Sequence, residues 1–220
     1  MILQNKDVLG LEDLNPDEIL GVLDMAGRFR AVFDRPVRNV PIMRGRTVVN
    51  FFHEPSTRTR ISFELAEKRL SADIVNFSTA TSSFKKGETL RDTAENLAAM
   101  KIDMLIIRHG SPGAARYLAK VLECSVINAG DGAHEHPTQG LLDIMTMRQR
   151  LGDLRGKRVT IIGDITHSRV ARSNLWGLTK LGAEVTLCGP PTMMPGGLDK
   201  LGAKVEFDLH KAVAKADVVN

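Results

Sequence analysis

Apolar runs of strand length recur at 47–52, 73–77, 103–107 and 125–128, and the stretches between them are long enough for one helix each. Antiparallel neighbours need only a tight turn, whereas parallel neighbours need a crossover of about a dozen residues, so this rhythm predicts a parallel α/β layer. The helices are marked at their starts, by Asn15 before Pro16 and again near Thr57, Thr89, Pro112 and Pro137. A second rhythm follows: a strand at 158–164, a helix at 168–181, and strands at 184–189, 204–207 and 216–219. A helix over 137–150, with Leu141, Leu142, Ile144 and Met145 on its apolar side, joins the two layers without a flexible linker. The expectation is an α/β protein with two parallel-sheet domains, 1–150 and 151–220. The last strand-like run has no helix after it, so the second domain is expected to be incomplete.

A phosphate-sized anion is the natural guest of one turn in this pattern. Glu54, Pro55, Ser56, Thr57, Arg58, Thr59 and Arg60 follow the run 48–52 and precede Ile61, Phe63, Leu65, Ala66 and Leu70, so a polar basic turn joins a strand to a helix. The helix start offers unpaired backbone N–H groups and the positive dipole end, Ser56 is a preferred cap, and the hydroxyls with Arg58 and Arg60 add donors. Taken alone, the turn reads equally well as an ordinarily capped helix. Its neighbours favour the anion site: 54–59, 108–110 and 130–139 all follow strands directly, and ligands of open α/β sheets bind at those strand ends. The loop 81–88 carries Lys85 and Lys86 and supplies a third cationic arm beside Arg58 and Arg108.

Other ligand classes fit less well. Thirty basic and 26 acidic residues are interspersed and aromatics make up 5 %, which indicates local anion sites and not a nucleic-acid stripe. Gly163 follows a strand but lacks the glycine spacing of a dinucleotide site, so no NAD is expected. Beside it, His167, Ser168, Arg169 and Arg172 stand at a helix start and suit a second anion, such as a carboxylate. His134 and His136 lie two apart with no cysteine near, which is poor zinc spacing, so no metal is expected. His136 and Gln139 are better placed to hydrogen-bond a polar substrate. Cys124 and Cys188 show no CxxC spacing, no leader-like start is present, and no run reaches about 18 apolar residues, so a cytoplasmic protein without a membrane partner is expected.

Together, Ser56–Thr57–Arg58–Thr59–Arg60, Lys86–Gly87–Glu88–Thr89, Arg108–His109 and His136–Pro137–Thr138–Gln139 resemble the carbamoyltransferases, and the likeness runs over essentially all 220 residues. The stretches 128–132 and 163–174 resemble the aspartate-specific branch more than the ornithine-specific one. The resemblance implies that Ser56, Thr57, Arg58 and Thr59 hold the phosphate of carbamoyl phosphate, that Arg108 bridges phosphate and carbonyl, and that His136 and Gln139 contact the carbamoyl group. It implies that Ser82 (or Ser83, if the loop register differs by one) and Lys86 reach a neighbouring subunit's site in a homotrimer, and that Arg169, with Lys86, grips L-aspartate. No cofactor is implied. Regulatory or dihydroorotase chains are possible partners, and the remaining aspartate ligands are expected beyond Asn220, so residues 1–220 alone are expected to be inactive. His53 departs from the family pattern, where a second Phe is usual, and is expected to affect only local packing. Two alternatives remain open: a carbamoyltransferase for another amine such as ornithine, and a non-catalytic, trimer-forming module that binds carbamoyl phosphate.

Overall fold

All eight expected strands form, and they make two separate four-stranded parallel sheets in a computed structural model that describes residues 3–78 and 89–220. Ser82, Ser83 and Lys86 lie outside the described residues. The chain groups into two compact units, Met1–Leu9 with Asp24–Gly132, and Gly10–Leu23 with Ala133–Asn220.

The first unit holds β1 (Thr47–Phe52), β2 (Asp73–Ser78), β3 (Met104–His109) and β4 (Ser125–Asp131) in the order β2-β1-β3-β4. Its strands are nearly continuous apolar runs because both sheet faces are covered, and the period of two shows in the core. Val49 and Phe51 pack on one face with Leu105, Ile107 and Val126, while Val48 and Phe52 pack on the other with Ile106 and Ala129. The helices α2 (Thr57–Leu70), α3 (Leu90–Ala99) and α4 (Ala114–Val121) are the crossovers. Upstream of β1, Val8 bridges Ile127, and Lys6 Nζ donates to the carbonyls of Leu122 and Cys124, which fastens the chain start along β4.

The second unit holds β5 (Arg158–Ile162), β6 (Glu184–Cys188), β7 (Lys204–Glu206) and β8 (Val218–Val219) in the order β7-β6-β5-β8. Two helices, α5 (Pro137–Leu151) and α6 (Arg169–Lys180), pack so closely that a Cβ on Gly177 would lie 2.4 Å from Ile144 Cδ1. That close approach explains why compactness assigns α5 to this unit, so the units part at Gly132/Ala133, ahead of the change of rhythm near residue 150. The helix α1 (Pro16–Arg30) starts with a reciprocal box, in which Glu18 N–H donates to Asn15 Oδ1 at 2.9 Å and Asn15 N–H to Glu18 Oε2 at 2.8 Å. One α-helix among the described residues was not expected from the sequence. The six-residue helix α7 (Leu209–Ala214) is capped by Asp208, whose carboxylate accepts from the amides of His210 and Lys211, and it is too short to show a helical period.

Candidate active site

In the first unit, the turn after β1 is stitched to the end of β3: the amides of His53 and Glu54 both donate to the carbonyl of Arg108, at 2.9 and 3.3 Å. This brings the Arg108 side chain, 12 % exposed, beside the turn. Its guanidinium donates to the carbonyl of Ala129 at 3.1 Å and to Glu54 Oε1 at 2.5 Å, so one arginine ties together the carboxyl ends of β1, β3 and β4. Glu54 as its ion-pair partner was not foreseen, because the two residues are 54 apart in sequence.

Ser56 stands at the N-cap of α2 with extended backbone, but it makes no side-chain cap bond. Its hydroxyl donates instead to Thr59 Oγ1 at 3.0 Å. Ser56, by residue type a preferred cap, thus caps no amide. The difference matters, because the amides of the first turn keep their hydrogens for another acceptor, and Thr57 and Arg58 are exposed beside them. The opposite arrangement occurs at α6, where Ser168 Oγ accepts from Ala171 N–H at 3.1 Å, and Asp164 receives the amide and ring of His167. The helix start that carries Arg169 is thus capped by its own side chains.

The end of β4 with the glycine after it, residues 128–132, owes its composition to a network within the first unit. Gly130 N–H donates to Asn128 Oδ1, Asn128 Nδ2 to Asp131 Oδ1, and Gly113 N–H to Asp131 Oδ2, all between 2.7 and 2.9 Å. His53, the departure from the family pattern, stacks on His109 with centroids 4.4 Å apart. Burial first, then the neighbouring His53, holds the His109 imidazole below its usual pKa, and its Nδ1 accepts from Ser111 N–H.

In the second unit, His136 and Gln139 share the first turn of α5. His136 is buried, at the N-cap, and its amide donates to Ser173 Oγ at 2.9 Å. Gln139 Nε2 donates to Asp143 Oδ1, and Asn174 Nδ2 to Asp143 Oδ2, each at 2.8 Å, so the glutamine is aimed by a carboxylate one turn along. Sequence reasoning missed Asp143, Ser173 and Asn174, although the helical spacing of Gln139 and Asp143 could have suggested the first. Glu12, His134 and Glu135 also bring three metal-type donor atoms within 4.8 Å of one another. Both Glu135 oxygens, however, already accept backbone N–H groups, from Leu11 and Glu12, so this grouping is a hydrogen-bond knot and lends a cation little.

These features leave one helix start, that of α2, without a side-chain cap beside a basic turn, and another, that of α6, capped by its own serine next to an arginine. Residues 6–149 match the carbamoyl-P binding domain of the aspartate/ornithine carbamoyltransferases, and the chain belongs to that family. Within it, the aspartate branch is the nearer: the aspartate carbamoyltransferase catalytic subunit of Gemmatimonas aurantiaca is 59 % identical over 98 % of this chain and 67 % of its own length. Among solved structures, aspartate transcarbamoylase from Trypanosoma cruzi, in complex with carbamoyl aspartate and phosphate, superposes with a TM-score of 0.89 at 30 % identity, covering 99 % of this chain and 75 % of that one. Ornithine carbamoyltransferase from Pyrococcus furiosus gives 0.85 at 30 % identity, covering 97 % and 70 %.

Proposed function

We propose that the enzyme to which this chain belongs transfers the carbamoyl group of carbamoyl phosphate to the α-amine of L-aspartate, giving N-carbamoyl-L-aspartate and phosphate. The observation that supports it most is the uncapped start of α2, where Ser56 turns its hydroxyl to Thr59 and leaves the first-turn amides for a phosphate. Ser56, Thr57, Arg58 and Thr59 hold that phosphate, with Ser82 and Lys86 added from a neighbouring chain. Residues 1–150 form the carbamoyl-phosphate domain, and 151–220 contribute to the aspartate domain through Arg169.

The amine lone pair attacks the carbamoyl carbon, the C–O bond to phosphate breaks, and the amine proton leaves to the departing phosphate. Negative charge grows on the carbonyl oxygen, where Thr59, Arg108 and His136 donate, and Gln139 orients the carbamoyl nitrogen. Removing one such preorganised donor costs on the order of 10²- to 10³-fold in rate. Positioning two substrates supplies up to about 7–11 kcal/mol, so alignment outweighs acid-base work here. The working assembly is a homotrimer with shared sites, in the cytoplasm, open to regulatory or dihydroorotase chains. Among the described residues no helix is long and apolar enough to cross a membrane.

Two assays test this reading. The enzyme should carbamoylate aspartate and leave ornithine untouched; the reverse preference would assign it to the ornithine branch, and no turnover of either would favour a binding module. Arg58→Ala should lower kcat/KM well beyond tenfold, and retention of more than about a tenth of wild-type activity, under about 1.4 kcal/mol, contradicts the phosphate role.

A further inference from the structure

Glu135 is fully buried, with none of its surface exposed, and directly precedes His136. Its Oε2 accepts from Leu11 N–H at 2.8 Å and from the Ser173 hydroxyl at 2.7 Å, and its Oε1 accepts from Glu12 N–H at 3.1 Å. Ser173 Oγ has one hydrogen, committed to that carboxylate, so its lone pair faces the His136 amide, which donates to it at 2.9 Å. The polarity of the hydroxyl is therefore set by the carboxylate behind it. His136 has non-helical backbone, φ −137° and ψ 75°, so its amide lies outside the intrahelical ladder and takes Ser173 as acceptor.

We propose that Glu135 is a positioning residue for the reaction: through Ser173 it fixes the backbone of His136, and with the same carboxylate it fastens the amides of residues 11 and 12. The inference rests on the role given to His136 above. A glycine at position 10 is what admits the carboxylate, since a Cβ there would lie 2.3 Å from Glu135 Oε1. The fastening is two-sided. Lys180 Nζ donates to the carbonyls of Leu11, Glu12 and Leu14 at 2.8, 2.5 and 2.6 Å, so an anion gathers the amides of this segment and a cation gathers its carbonyls. Glu135 itself does not touch substrate, because its oxygens face backbone amides and a buried hydroxyl.

A double-mutant cycle on the enzyme separates positioning from plain stabilisation. Ser173→Ala cuts the link to His136 and leaves Glu135 on Leu11 and Glu12. Misplacing a reacting group by about an ångström costs up to about 100-fold, so kcat should fall roughly 10- to 100-fold with KM for carbamoyl phosphate nearly unchanged. In a His136→Ala background the same substitution should cost less than about twofold in kcat, while its effect on Tm persists. Glu135→Gln, which keeps the side chain's size but gives up one acceptor, runs the same cycle if the alanine variant folds poorly. Equal costs in both backgrounds, or wild-type kcat in Ser173→Ala, overturn the relay alone. Wild-type activity in His136→Ala overturns the role of the histidine and the relay with it.

Discussion

Glu67 lies in α2 with 4 % of its surface exposed, and its Oε2 accepts from the side-chain amide of Asn50 at 2.8 Å. Glu67 Oε1 and Asn50 Oδ1 are both buried without a hydrogen-bond partner among the described residues. Burial pushes this carboxyl up from its ordinary value, against the hydrogen bond from Asn50. A raised folded-state pKa means that its contribution to stability is fully present below the unfolded value and is lost as pH rises through the folded one. Glu67→Gln should therefore gain on wild type as pH rises, by about 1 kcal/mol at pH 7, because the new amide hydrogen can satisfy Asn50 Oδ1 and no charge is buried. Urea midpoints at pH 4 and pH 7 check this; a gain independent of pH rules out the titration as its cause. Exposed Asp217 runs the other way, held near pH 2 by hydrogen bonds from Arg158, so its contribution is lost as pH falls toward that value. At this scale the sequence reveals residues that sit in a motif, such as Arg58 and Arg169. It hides Glu135, whose inward orientation depends on partners 38 and 124 residues away.

The starts of α2 and α6 form a matched pair, serine N-caps both, with opposite hydrogen bonding. Ser168→Ala should cost about 1 kcal/mol of stability, the usual worth of a cap. Ser56→Ala should cost less stability but weaken phosphate binding, because the lost hydroxyl positions Thr59 and caps no amide. Thermal unfolding with and without 10–100 mM inorganic phosphate, roughly bracketing a weak site, compares the two: the phosphate-induced rise in Tm should shrink only in Ser56→Ala. If both variants keep the full rise, the hydroxyl pair is not part of the anion site. Element starts were legible because their signals are local, as with the Asn15–Glu18 and Thr89–Asp92 boxes. Which serine caps its helix was not, since both sit before a basic first turn with extended backbone and only the partner each hydroxyl finds tells them apart.

The two parallel layers were legible in the spacing of apolar runs, but the partition into compact units was not. Residues Gly10–Leu23 join the second unit through bonds to Glu135 and Lys180, and no local pattern encodes contacts of that range. Assembly is tested by mixing: an inactive Lys86→Ala chain and an inactive His136→Ala chain should regain part of the activity when their subunits exchange, since one site then draws its loop and its histidine from different chains. Silence after confirmed exchange rules out shared sites. The clamp on residues 11–14 also sets a timetable. Leu11 leaves the ribosome 124 residues before Glu135, and at about 5–20 residues per second the wait is on the order of ten seconds. Residues 11–14 thus wait long for their partners, and until α5 and α6 emerge this stretch is an open length of chain within reach of chaperones and proteases.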